Sequence, residues 1–120
     1  MTIQIVDTAS VFQKAPKPEA LEKLYTYRRP NEVKGYIIAY PFLVPLLVEA
    51  HDKIGDCFGP PEIVLEVVTD PEALDDRQLV AFIQTNFDVD EALTRLRQLD
   101  KNWWFEASHR SRGKLCIHLE

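Results

Sequence analysis

The amino-acid sequence predicts one small α+β domain, in which two long helices pack on one face of a three-stranded antiparallel sheet. Three patterns predict this class. An apolar run at 36–48 contains no charged residue. Segments within 62–85 alternate as strands do, and 89–103 repeats its apolar residues at helical spacing. Because the chain has 120 residues, we expect a single domain (1–120), to which residues 1–17 are loosely attached.

The first part of the chain predicts one or two short helices. Pro18–Tyr27 has apolar residues on one side of a short helix. In the next segment, the spacing of Val33, Tyr36, Ile37 and Tyr40 favours a helix. Gly35 and Pro41 would also bound a strand at Tyr36–Tyr40. In that alternative the pattern becomes βαββαβ, the ferredoxin-like arrangement.

Two longer helices follow. The first begins after Pro41, carries a broad apolar face, and ends near Gly55 or Gly59. The second begins after Asp88, which has Glu91 three residues later, as in a capping box. We expect the apolar stripe of this second helix to face the core; it consists of Val89, Ala92, Leu93, Leu96, Leu99 and Trp103.

Three segments predict strands, namely Glu62–Thr69, Gln78–Thr85 and Lys114–Leu119, with an acidic turn at Asp70–Asp76. A helix joins the second and third strands, so these two strands run parallel. A crossover that skips one position places the third strand beside the first. The predicted ββαβ core therefore has strand order 2-1-3, and all neighbouring strands are antiparallel.

One face of this sheet is only half polar. It carries Val64, Val68, Val80 and Phe82 beside Glu66, Gln84, Cys116 and His118. A face of this kind needs a cover. The cover is either the N-terminal helix at 18–27 or another chain, which can be a second copy or a different protein.

The segment Trp103–Lys114 is the second candidate surface. Its tryptophans can stack on bases, and Arg110, Arg112 and Lys114 can meet phosphates. Exposed Trp and Arg are also favoured anchors of protein interfaces, which makes Trp104 a candidate contact. In the simplest interpretation, both tryptophans close the end of the core and the basic loop is solvated.

The composition disfavours several functions. A net charge of −5 and a pI near 5.2 disfavour nucleic acid as the main ligand, because polyanion binders carry excess Lys and Arg. Two cysteines without a recognisable signal sequence predict reduced thiols and a cytoplasmic location. The apolar run is shorter than the roughly 20 residues of a membrane span.

Chemistry-bearing residues are few. Cys116 and His118 lie on one side of the last predicted strand, and a zinc site could be completed by His109, or by Cys57 and His51. The spacings match no zinc motif, and the chain has no glycine-rich phosphate loop. We therefore expect no catalytic residue, no cofactor and no metal ligand, with a small enzyme or metal protein as an alternative.

The segments Tyr40–Leu47, Leu65–Glu72 and Glu91–Trp104 resemble a group of small uncharacterised bacterial proteins. The resemblance implies no assigned catalytic residue and favours an accessory or regulatory role. The sequence thus predicts a non-catalytic cytoplasmic protein-binding or regulatory module that self-associates or holds a protein partner, with nucleic-acid binding as the alternative. The predicted contact residues are Val64, Val68, Val80, Phe82, Trp104, Arg110, Arg112 and Lys114.

Overall fold

The fold is taken from a computed structural model, which describes residues 17–60 and 62–120. The prediction of a loosely attached N-terminal segment falls almost entirely outside these residues. The class is α+β, as the sequence predicts. The elements in chain order are α1 (Leu21–Leu24), β1 (Thr26–Tyr27), α2 (Pro30–Ala39), α3 (Leu43–Phe58), β2 (Glu62–Asp70), β3 (Ala73–Gln84), α4 (Val89–Leu99) and β4 (Leu115–Leu119).

Among the described residues, the sheet has four strands in the order β1-β2-β3-β4. β2 and β3 are antiparallel, whereas β1 runs parallel to β2 and β4 runs parallel to β3. The predicted order 2-1-3 and the all-antiparallel, three-stranded sheet are therefore wrong. β1 occupies the outer edge of β2, so the crossover through α4 delivers β4 to the remaining edge of β3.

Tyr36–Ala39 belongs to the helix α2 and Tyr40 follows its end, so the ferredoxin-like alternative is wrong. α2 ends at Ala39 because Pro41 has no N–H and restricts the residue before it. α3 then begins at Leu43 and ends at Phe58, where Gly59 takes a φ of 80°. In the described part of the chain no single helix is long and apolar enough to cross a membrane, and α2 and α3 meet that test only as a pair bent by 118°.

The β2–β3 hairpin is longer than predicted. Its strands extend into the predicted acidic turn, and the turn itself contains only Pro71 and Glu72. A register shift between Thr69 and Asp70 marks the place where the regular pairing ends.

α4 begins as predicted and continues further. The Asp88 carboxylate accepts a hydrogen bond of 2.8 Å from the Glu91 N–H and so caps the helix. Beyond Leu99 the chain continues through a π-helical segment at Asp100–Trp104, a short α-helical segment at Phe105–Ala107 and a 3-10 turn at Ser108–Ser111.

The core lies between the helices and one face of the sheet, the inner face. It includes Leu43 and Leu47 of α3 and Leu65 and Ile83 of the sheet, all of which are buried. α1 also packs in this core. Leu21 is fully buried, and the Tyr25 hydroxyl donates a 2.7 Å hydrogen bond to the backbone oxygen of Leu47.

The predicted helix at 18–27 therefore does not lie on the opposite, outer face of the sheet, and this part of the prediction is wrong. The helix ends at Leu24 because Tyr25 takes an extended conformation and Thr26–Tyr27 pair with β2 as β1. The same short segment thus contributes to the inner core and closes one edge of the sheet.

Candidate functional site

The outer face of the sheet is less open than the sequence suggests. Of the predicted contact residues, Val64 and Val80 are buried, with exposed fractions of 7% and 4%. Phe82 is half-buried, and only Val68, at 38%, is exposed. These four side chains do not form one accessible apolar patch.

A group of four charged side chains and one amide lies across this face, and we call it the arginine clasp: Arg28, Arg29, Glu66, Glu120 and the amide of Gln84. The Arg28 guanidinium donates to Glu66 Oε1 and Glu120 Oε1, each at 2.8 Å, and lies 5.8 Å from the centre of the Phe82 ring. Arg29 binds the other Glu66 oxygen at 2.5 Å, and Gln84 donates to Glu120. The hydrogen bonds from Arg28 and Gln84 lower the pKa of Glu120 to about 2.

The sequence does not predict the clasp. Arg28 lies just beyond the predicted helix Pro18–Tyr27, whereas in the structure it follows β1 and its N–H bonds to the Leu65 oxygen. A two-residue strand has no periodicity that could have revealed this position.

Arg110 and Trp103 are both held by Glu49 of α3. Trp103 Nε1 donates to Glu49 Oε1 at 2.9 Å, and Arg110 Nη2 pairs with Glu49 Oε2 at 2.6 Å. The hydrogen bonds from Arg110 and Trp103 lower the pKa of Glu49. Arg110 therefore has an acidic partner within the chain, which reduces its availability to a phosphate.

Arg112 and Lys114 lie at the corner between α2 and α3. The Arg112 guanidinium is 4.6 Å from the centre of the Phe42 ring, and Lys114 Nζ is 4.8 Å from that of Tyr40. Among the described residues neither cation has an ion pair. The residues of the predicted Trp103–Lys114 surface therefore do not form one surface: Arg110 lies at Glu49, whereas Arg112 and Lys114 lie at Phe42 and Tyr40.

Trp104 lies on another side of the helix, where it faces β4. Its ring is half-buried and lies 5.4 Å from that of Trp103, centre to centre. The two tryptophans are in the π-helical segment, in which the Phe105 N–H bonds to the Asp100 oxygen five residues earlier. The wider turn is consistent with the tryptophans serving two different surfaces.

In the part of the chain that the structure describes, β4 forms an open edge of the sheet. Its pairing to β3 uses the Lys114 oxygen, which accepts from the Leu79 N–H, and the Glu120 N–H, which donates to the Ile83 oxygen. Successive residues of a strand direct their backbone groups to opposite edges. Leu115, Ile117 and Leu119 therefore present their N–H and C=O groups outward, where the described residues supply no backbone partner.

Beside this edge lies a cavity of about 370 Å³ between α4 and β4, which we call the edge groove. The helix side of the edge groove consists of Leu96, Arg97, Leu99, Asp100 and Trp104. The strand side consists of Cys116, Ile117 and His118. Trp104 is the one predicted contact residue that lines it.

The predicted core stripe of α4 is only partly in the core. Ala92 and Leu99 are buried, but Val89 is 73% exposed and Leu93 is 37% exposed. The expectation that all of the stripe faces inward is therefore wrong, because α4 packs against α3 and the described elements leave Val89 and Leu93 exposed. By helical spacing, Val89 and Leu93 lie on the same side of α4 as Leu96, which lines the edge groove.

Within residues 17–60 and 62–120, no three or more His, Cys, Asp or Glu side chains are grouped in a way that could hold a metal ion. His51 packs edge-on against Tyr25 at 5.7 Å between ring centres. Cys57 and Cys116 are free thiols whose pKa values are raised by burial.

Comparison of this chain with protein-family models, with curated proteins and with solved structures gives no match. The resemblance to small bacterial proteins stays a prediction, and the functional argument therefore depends on the geometry of the chain itself.

Proposed function

We propose that this chain is a small, non-catalytic protein-binding module that accepts an extended protein segment on the open edge of β4. One observation carries the proposal: a strand that has no further strand partner among residues 17–60 and 62–120 lies directly beside an apolar groove. This is the geometry of strand addition, in which backbone hydrogen bonds supply affinity and side-chain pockets supply specificity.

The two parts of the site have distinct roles. Leu115, Ile117 and Leu119 offer the backbone donors and acceptors with which an incoming strand pairs. Alternate side chains of that strand point toward the helix layer, where Leu96 and Trp104 provide apolar contact. The remaining side chains lie on the outer face beside His118.

The charged side chains at the rim of the edge groove can help to select the protein segment that binds there. Arg97 and Asp100 are exposed and lie on the helix side of the edge groove. Charges at a rim select partners and steer association more than they add affinity. A regulatory or accessory role in the cytoplasm of a bacterium is the setting that this proposal assigns to the chain.

The experiment that tests the proposal uses a display library of random linear peptides selected on the immobilised protein. Leu119→Pro removes one outward N–H without removing a hydrogen bond to β3, because the Leu119 N–H faces the open edge. Leu119→Val is the matched control, since it shortens the side chain and keeps the N–H.

We expect the selected peptides to alternate apolar and polar residues, and to bind the wild type and Leu119→Val but not Leu119→Pro. Leu96→Lys, which places a charge in the edge groove, is expected to weaken the same peptides while leaving the backbone edge intact. The proposal is overturned if no peptide is enriched, or if the enriched peptides bind folded Leu119→Pro as well as they bind the wild type.

A further inference from the structure

We infer that the segment accepted by the open edge is β4 of a second copy of this chain. The inference rests on the proposed function and specifies its partner. The two β4 strands pair in antiparallel orientation about a two-fold axis at Ile117. This pairing joins the two four-stranded sheets into one continuous sheet.

The backbone of β4 is self-complementary about this axis. Ile117 is the middle residue of Leu115–Leu119, so an axis there places Leu115 opposite Leu119 of the second copy and uses all three outward-facing residues. An axis at any other residue of the strand leaves some of these groups unpaired. Full pairing therefore selects a single register.

The charges on α4 are self-complementary in the same arrangement. Arg97 and Asp100 line the edge groove at the level of Ile117, and neither forms an ion pair with the described residues. A two-fold axis places the two α4 helices antiparallel, so that Arg97 of each copy faces Asp100 of the other. The symmetry produces this contact twice.

The exposed apolar side of α4 favours a second copy over a lone extended peptide. Val89 and Leu93 are exposed on α4, whereas a single added strand pairs with β4 and brings no helix to cover them. The second copy brings its own helix, and Leu93 then faces Trp104 of that helix. One occupant therefore accounts for the open edge, the edge groove and the exposed stripe.

The register is tested by a new disulfide. Cys116 and His118 lie on the outer face, and the proposed axis places Cys116 directly opposite residue 118 of the second copy. The outward groups of the edge belong to the odd-numbered residues, so this is a non-hydrogen-bonded pair, with Cα atoms about 4.5 Å apart. A disulfide can form across about 4.4–6.8 Å.

His118→Cys is therefore expected to give a covalent dimer on air oxidation, seen by electrophoresis without reductant and lost on reduction. Cys116→Ser combined with His118→Cys is the matched control, which retains Cys57 and is expected to form no covalent dimer, so that it runs as a single chain in denaturing electrophoresis without reductant. The wild type is also expected to form no disulfide, because the two Cys116 residues are offset by two positions. A control that crosslinks as strongly as His118→Cys overturns the register.

The dimer itself is tested by sedimentation equilibrium of the wild type, with an expected mass of twice the 13.9 kDa chain. Arg97→Asp is expected to weaken dimerisation about tenfold through like-charge contacts, and Arg97→Asp with Asp100→Arg to restore it. A swap variant as weak as the single variant overturns the assigned charge contact.

The outcomes separate this inference from the proposed function. If the wild type stays monomeric up to millimolar concentration, the inference that a second copy binds at the edge is overturned. Edge-specific peptides recovered from the display selection would still support strand addition in that case. A dimer that persists in folded Leu119→Pro also overturns the inference, because its interface would then lie away from the open edge.

Discussion

β1 and β4 are the two edge strands of one sheet, and they differ in length, in anchoring and in what their outer backbone meets. β1 has two residues, and it is held by buried Leu21 and by the Tyr25 hydrogen bond to α3. Arg28 and Arg29 follow it and pair with Glu66. β4 has five residues and an edge groove beside it.

This difference indicates which edge is used for binding. Proteins protect exposed edges with very short strands, charges, prolines or bulges. β1 is short and followed by two arginines, whereas Leu115–Leu119 contains no proline and no lysine, and it pairs with β3 without a register shift. A cavity of about 260 Å³ lined by Tyr27, Ile37 and Ile38 also lies beside β1, so the two edges differ in their protection and not in the presence of a cavity.

The largest expected effect is the loss of the β1 anchor. Leu21→Ala removes a fully buried side chain, and we expect it to lower the free energy of unfolding by about 2–5 kcal/mol. Because α1 and β1 are adjacent, the variant should also loosen β1 and expose the edge of β2. Denaturant unfolding measures the first effect, and hydrogen exchange of the Arg28 amide, which bonds to Leu65, measures the second.

The control for this change is Leu24→Ala. Leu24 is only partly buried in the same helix, so we expect less than half the loss of stability. Equal losses from the two variants would contradict the assignment of Leu21 as the anchor.

A smaller effect is expected from the hydrogen bond of Tyr25. Tyr25→Phe keeps the buried ring and removes only the donor to the Leu47 oxygen, which costs about 1 kcal/mol. Desolvation by burial raises the pKa of this hydroxyl, which keeps it protonated as the bond requires. Unfolding midpoints of the two proteins at neutral pH measure the difference, and unchanged midpoints would show that the bond does not stabilise β1.

The arginine clasp predicts a pH dependence. The folded-state pKa of Glu120, about 2, lies below its usual value of 4.5. The contribution of the clasp to stability is therefore fully present above about pH 4.5 and is lost as the pH falls toward 2. Because Glu120 is exposed, we expect a small effect.

Glu120→Gln isolates this contribution. The difference in urea midpoint between wild type and variant should shrink between pH 5 and about pH 2, since the wild type loses the charge that the variant lacks. A constant difference over this range would contradict a role for the Glu120 charge.

The smallest expected effect concerns Cys116 on β4. Burial raises the pKa of its thiol, so the reactive thiolate is scarce near neutral pH. We expect alkylation of Cys116, followed by mass spectrometry in the Cys57→Ser background, to be slower than that of a free cysteine peptide at the same pH. A rate equal to that of the peptide would contradict the half-buried position of the thiol.

The sequence predicted the helices and strands in which apolar residues repeat at a regular spacing. The α3 and α4 helices, the Asp88 cap and the three alternating strands follow from local patterns. The sheet order did not follow, because it depends on β1, whose two residues carry no pattern. Once β1 occupies the edge of β2, β4 has only the edge of β3 available.

The candidate site was predicted only in part. Trp104 was identified, but the Val64–Phe82 face was judged open because the sequence did not reveal that Arg28 crosses it. Arg110 and Trp103 are held by Glu49, which is far away in the sequence. Ion pairs between distant segments are set by the tertiary fold, and no local periodicity records them.

The π-helical segment at Asp100–Trp104 determines the direction in which the side chains after it point, up to Arg110. Each i→i+5 turn contains one residue more than an i→i+4 turn, so residues after the segment are rotated by roughly 100° relative to a regular helix. Deleting Asn102 would restore the regular count and turn Arg110 away from Glu49. The one extra residue of the π-helical segment thus fixes two orientations at once: that of Arg110 toward Glu49 and that of Trp104 toward the edge groove.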